Sequence, residues 1–155
     1  MSDESGQNRR GLLTGAAGIG ALAMLAGAGR AEAAAMSETE KANIKVVNDF
    51  CAACGTHDAD KIMTFFSPEP AYRQTELVAP AVGRQAVAEK IAGLAKVATK
   101  FEVHDTWARG PMVINERTDY FDSPRLKQWH GVGVFLVKDG KIVEWYDYTI
   151  DRVTA

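Results

Sequence analysis

Along residues 113–121 apolar and polar side chains alternate as on a β-strand, yet the alternation carries an anomaly. Successive side chains on a strand point to opposite faces. Val113, Asn115, Arg117, Asp119 and Phe121 therefore share one face, and Ile114, Glu116, Thr118 and Tyr120 the other. A guanidinium and a carboxylate two residues apart look the same way, between apolar neighbours. Residues 143–148, Val-Glu-Trp-Tyr-Asp-Tyr, also read as strand and set Asp147 among aromatics. If both strands join one sheet, Arg117 can lie between two carboxylates in an apolar cavity. On an exposed face an Arg and an Asp at this spacing would be solvated charges worth under about 1 kcal/mol. Val113 and Phe121 on the same face, with Trp145 beside the second Asp, favour burial instead. Burial without function would be a poor source of stability, because desolvation offsets the attraction.

The same reading carries through the rest of the chain. Ser37 to about Cys54 predicts an amphipathic helix on Ile44, Val47, Cys51 and Cys54, with Ser37 as N-cap, Glu40 completing a capping box and Gly55 as a stop. Residues 58–66 predict a short second helix, stopped by Ser67-Pro68-Glu69-Pro70. Residues 71–78 predict an extended segment in which Tyr72, Gln74 and Glu76 share a face. After Pro80 and Gly83, Val87, Ile91, Leu94 and Ala98 predict a third helix from Arg84 to Ala98. Four strands follow, Phe101–Arg109, Met112–Phe121, Lys127–Val137 and Ile142–Ile150, the last two joined at Asp139-Gly140, a strong hairpin signal. Helices first and antiparallel strands last predict an α+β fold, a curved, mostly antiparallel sheet wrapped around three or four helices. Such a cone is closed at one end, and its mouth suits a small ligand.

Composition narrows the function classes. With 155 residues, 46% apolar and 25% charged, the chain has the profile of one ordinary globular domain. A formal charge of −2 and no run of Lys or Arg exclude nucleic acid and anionic membrane surfaces as expected partners. Residues 1–35 differ from the rest: Arg9-Arg10 precede an uncharged run from Gly11 to Gly29, ending in Arg30-Ala31-Glu32-Ala33. These are the parts of a secretory signal peptide, and the paired arginines resemble a twin-arginine signal. Cleavage is expected after Ala33, leaving the domain 36–155 in the periplasm or outside the cell. A retained membrane anchor is the alternative. In an oxidising compartment the pair Cys51 and Cys54 can be redox-active. Their place on the apolar stripe of the first helix favours packing instead, and further metal ligands at a convincing spacing are missing. His57, His104 and His130 are scattered, there is no Gly-rich phosphate loop, and no metal, nucleotide or organic cofactor is expected. Trp107, Trp129 and Trp145 read as core or pocket lining.

Residues 115–119 (Asn-Glu-Arg-Thr-Asp), 131–135 (Gly-Val-Gly-Val-Phe) and 139–148 (Asp-Gly-Lys-Ile-Val-Glu-Trp-Tyr-Asp-Tyr) together resemble the limonene-1,2-epoxide hydrolase family. That family lies within the nuclear-transport-factor-2-like, SnoaL-like superfamily of cone-shaped folds. The likeness runs from about Glu40 to Asp151. It implies an Asp-Arg-Asp triad of Asp119, Arg117 and Asp147, with Asp147 as base, Asp119 as acid and Arg117 orienting both. It implies that Tyr72, with an amide two residues later, holds the attacking water; here Gln74 stands where the family has Asn. Val113, Phe121, His130, Val132 and Trp145 are the expected pocket. A small apolar epoxide, opened by water to a vicinal diol without a cofactor, is the implied chemistry. A homodimer paired through the outer face of the sheet is the implied assembly. Two alternatives share the cone: an isomerase or cyclase using one acid-base pair with an oxyanion hole, and an exported protein that binds a small molecule without turnover. An Arg117 that touches both carboxylates inside a pocket favours the hydrolase.

Overall fold

A computed structural model describes residues 35–153. The expected export signal over residues 1–35 and its cleavage point lie outside that span, Ala35 apart. The first helix, α1 (Glu38–Cys54), begins with the capping box: Glu40 N donates to Ser37 Oγ at 3.2 Å, and Ser37 N donates to Glu40 Oε2 at 2.8 Å. Two otherwise orphaned amides are satisfied there. Its buried stripe carries Asn43, Val47, Phe50, Cys51 and Cys54, and the thiols are free. Burial pushes the Cys51 thiol up to about 12 and Cys54 well above its ordinary value, which is inert packing rather than a reactive pair.

A short helix, α2 (Ala59–Met63), is capped by Asp58, which accepts from Lys61 N at 2.9 Å. Here the structure corrects the sequence expectation. The helix ends before Thr64, and strand β1 runs Phe66–Arg73, straight through Pro68 and Pro70. The prolines are tolerated because the pairing of β1 with its long neighbour is interrupted between Phe66 and Ala71, so no ladder bond is lost at them. Residues 74–78, expected to continue the strand, form turns and bends instead. A two-residue strand, β2 (Ala81–Val82), closes against Ala71 and Tyr72. Helix α3 (Arg84–Ala95) stops short of Ala98, which opens β3 (Ala98–Arg109). Then come β4 (Met112–Phe121), β5 (Gln128–Lys138) and β6 (Lys141–Val153).

The six strands make one mixed sheet in the order β2-β1-β6-β5-β4-β3, with β1 parallel to β6 and every other pair antiparallel. The core lies between the helices and one face of this sheet. Phe50 of α1 is its hub, edge-on to Phe66, Phe135 and Trp145 with ring centroids 5.6, 5.8 and 4.9 Å away. The other face carries exposed Trp107, Met112, Tyr148 and Ile150. Trp107, expected in the core or pocket, thus belongs to the outer surface, because it pairs with outward-facing Ile114.

Candidate active site

The inward face of β4 runs Val113, Asn115, Arg117, Asp119. Across it, β5 offers Phe135, Gly133, Gly131 and Trp129, and β6 offers Trp145 and Asp147 opposite Phe135 and Gly133. Since β5 lies between β4 and β6, Arg117 must cross two strand spacings, about 9.5 Å, to reach Asp147. It can do so because the inward positions beneath its path are glycines. A Cβ on Gly133 would sit 2.4 Å from Arg117 Nη1, 2.6 Å from the Phe135 ring and 3.1 Å from Asp147 Oδ1. A Cβ on Gly131 would strike the Trp129 ring at 2.3 Å.

Along this lane Arg117 Nε donates to both oxygens of Asp119, at 2.9 and 3.2 Å, and Nη2 donates to Asp147 Oδ2 at 2.8 Å. Asp147 Oδ1 accepts from Trp145 Nε1 at 2.6 Å. The guanidinium is 0% exposed and packs against the rings of Phe101, Trp129 and Trp145, 5.0–5.4 Å from their centroids. One planar fork thus bridges two carboxylates in an aromatic box.

One cation cannot neutralise two buried anions, so the pair must hold a proton near neutral pH. Burial pushes Asp119 up to about 7, with Arg117 opposing and the Asp147 charge adding to the rise. Burial also raises Asp147, to about 6, against the pull of Arg117, the Trp145 indole and Arg73. The indole bond and the Arg73 field act on Asp147 and not on Asp119, so Asp147 is the more readily ionised of the pair and Asp119 the more readily protonated.

The two carboxylates open onto a cavity of about 300 Å³ lined by Tyr72, Gln74, Thr75, Leu77, Val78, Leu94, Phe101, Phe121, Leu126, Trp129 and Trp145. Tyr72 stacks on Trp145 with centroids 4.1 Å apart, and no hydrogen bond among the described residues engages its hydroxyl. Burial and the Asp147 charge hold that hydroxyl protonated, well above its ordinary pKa. Gln74 reaches the same cavity but is an exposed residue at its mouth, without a hydrogen bond to Asp147 or Tyr72 among the described residues. Neither Tyr72 nor Gln74 hydrogen-bonds Asp147 directly among the described residues. Phe121 and Trp145 line the cavity as expected, whereas Val113 faces inward but is buried in the core away from the lining.

His130 and Val132 are corrections. Both sit on the outward face of β5, where His130 meets Glu116 Oε1 at 3.2 Å and the edge of the His104 ring. Their inward neighbours Trp129, Gly131 and Gly133 take the places assigned to them. Trp129 lines the cavity, one of the two places its reading as core or pocket lining allowed, and it stands on the Gly131 and Gly133 side of its strand. Phe101, Leu94, Leu126, Thr75, Leu77 and Val78 are further wall residues that carry no such sequence signal. Gly133→Ala is expected to displace the guanidinium and cut turnover by roughly 10²-fold, as misplacements of about 1 Å do. Steady-state kinetics alongside a thermal melt, which should still show a folded protein, checks this.

A cone-shaped α+β domain with helices inside a curved six-stranded sheet has the nuclear-transport-factor-2-like fold. The chain belongs to the SnoaL-like domain family, whose model matches residues 47–145. Among solved structures it is similar to an M. tuberculosis LEH-like epoxide hydrolase, 26% identical over 71% of this chain and 84% of that one, with a TM-score of 0.63. An epoxide hydrolase/cyclase-like enzyme of pyran ring formation in the polyether salinomycin is 18% identical, over 70% of this chain and 91% of its own, with a TM-score of 0.64. An NTF2-like protein of Mesorhizobium loti is 20% identical, over 75% and 97%, with a TM-score of 0.62. The last two share the fold.

Proposed function

We propose that this protein is an epoxide hydrolase that adds water to an apolar epoxide in one step, giving a vicinal diol. The observation that carries the reading is buried Arg117 bridging Asp119 and Asp147, two carboxylates that line an aromatic-walled cavity. Epoxide opening by water needs a base for the water and an acid for the ring oxygen in one place. Asp147, the more readily ionised, takes a proton from water as the water oxygen forms its bond to a ring carbon. The ring C–O bond breaks, and protonated Asp119 gives its proton to the departing oxygen. The diol leaves with Asp147 protonated and Asp119 ionised, and transfer of that proton back to Asp119 restores the resting pair. Arg117 stays charged throughout and holds both carboxylates in place. Tyr72, with its free protonated hydroxyl beside Asp147, positions the water. Gln74 at the mouth can join it only by turning inward. The walls supply apolar contact and exclude bulk water, and the scheme uses side chains and water alone.

The likeness to the M. tuberculosis LEH-like epoxide hydrolase supports this reading. A single turnover in heavy-oxygen water tests it. The label is expected in the diol from the first turnover, with the protein unlabelled. Label entering the carboxyl of Asp119 or Asp147 first would reveal a covalent ester, and no diol from any of a panel of terpene and aromatic epoxides would sink the proposal.

A further inference from the structure

The inner cavity does not end at its own walls. A second chamber of about 320 Å³ adjoins it, and Tyr72, Gln74, Leu94, Phe121 and Leu126 are walls of both. The outer chamber follows α3, with Glu89, Lys90, Gly93 and Val97 on that side, and is completed by Ser123. Lys90 is the only cation among the lining residues of the two chambers. It makes no hydrogen bond or ion pair among the described residues, whereas neighbouring Glu89 already accepts from Gln85 Nε2 at 3.3 Å. Gly93 adds an independent observation. It lies inside a helix, where glycine is a poorer choice than alanine, and a Cβ there would meet no atom within 4 Å. No part of the fold uses the room it leaves; the chamber does. At the other end, Leu77 and Val78 line the inner cavity while 79% and 50% exposed, an apolar rim that a longer apolar ligand would cover.

We infer that the site takes an elongated, amphiphilic substrate: an apolar chain that spans both chambers and ends in a carboxylate at Lys90. Its place beside Asp119 and Asp147 as an epoxide rests on the hydrolase reading; the chain's fit to the chambers does not. The chain passes between Leu94, Phe121 and Leu126 and then along Gly93, where the missing side chain lets it lie close to the helix. Lys90 then supplies a charge-assisted hydrogen bond to the terminal group. A small terpene epoxide would fill only the inner chamber.

Decanoate and methyl decanoate test the chambers without turnover, through the fluorescence of Trp129 and Trp145 at neutral pH. Decanoate is expected to bind at least about tenfold tighter than its ester, the effect of one good ionic contact. Lys90→Glu should remove that preference, and Gly93→Leu should weaken both ligands by filling the groove. Equal binding of acid and ester by the wild-type protein, or a preference that survives Lys90→Glu, overturns the inference. Decanoate binding as expected with no epoxide hydrolysed would leave the chambers standing and remove the hydrolase reading. Hydrolysis of small epoxides with no binding of either probe would do the reverse.

Discussion

Asp147→Asn and Asp119→Asn are each expected to reduce epoxide turnover by about 10²–10⁴-fold, the usual contribution of a positioned acid or base. Asn has nearly the shape of Asp but neither takes up nor gives a proton, so the fold persists while the chemistry stops. Wild-type activity should follow a bell, rising through about 6 as Asp147 ionises and falling through about 7 as Asp119 loses its proton. The two limbs belong to the coupled pair. Stability has its own pH dependence. Both carboxylates have folded-state pKa values above the ordinary 3.8, so the folded protein binds protons that the unfolded chain releases. The stability this gives is fully present below 3.8 and is lost as pH rises through about 6 and about 7. Asp119→Asn removes part of that loss, and its melting temperature should exceed the wild type's most clearly above pH 7. Full activity in either Asn variant would exclude that residue from the mechanism.

Arg117→Met should cost about 3–5 kcal/mol, the penalty for removing one partner from a buried ionic set. Two carboxylates would be left at 3% and 4% exposure without their cation, and denaturant titration should show the midpoint falling at neutral pH. The loss should shrink in mild acid, where both carboxylates are protonated. Combining Arg117→Met with Asp119→Asn and Asp147→Asn should recover most of the stability and none of the turnover. This separates the charge imbalance from the lost packing of a long side chain against Phe101, Trp129 and Trp145. Arg117→Lys keeps the charge but not the fork that reaches both acids, and should lose activity with less loss of stability. An Arg117→Met protein as stable as the wild type would refute the bridging role.

The parts of the fold that were legible in the sequence are those set by local chemistry. The Ser37–Glu40 capping box, the Asp139-Gly140 turn and the alternation along β4 each depend on residues within a few positions of one another. Elsewhere longer-range pairing decided. Pro68 and Pro70 read as a stop, but the interrupted ladder beside β1 leaves them harmless. Gln74 reads as part of a continuing strand, but that strand ends at Arg73. His130 and Val132 face outward, and a glycine has no side chain to show from sequence which face of β5 it occupies. In the run Gly131-Val132-Gly133-Val134 the valines look like the buried set. Those empty positions are the lane that carries Arg117.

By itself the sequence determined that Arg117 and Asp119 share a face and that Asp147 stands among aromatics on another strand, because side-chain alternation is a property of a single strand. Only the tertiary structure decided that one strand lies between them, that glycines clear the crossing, and that a second chamber along α3 shares Leu94 as a wall with the first. Those facts depend on which elements become neighbours, which is set by packing across the whole domain.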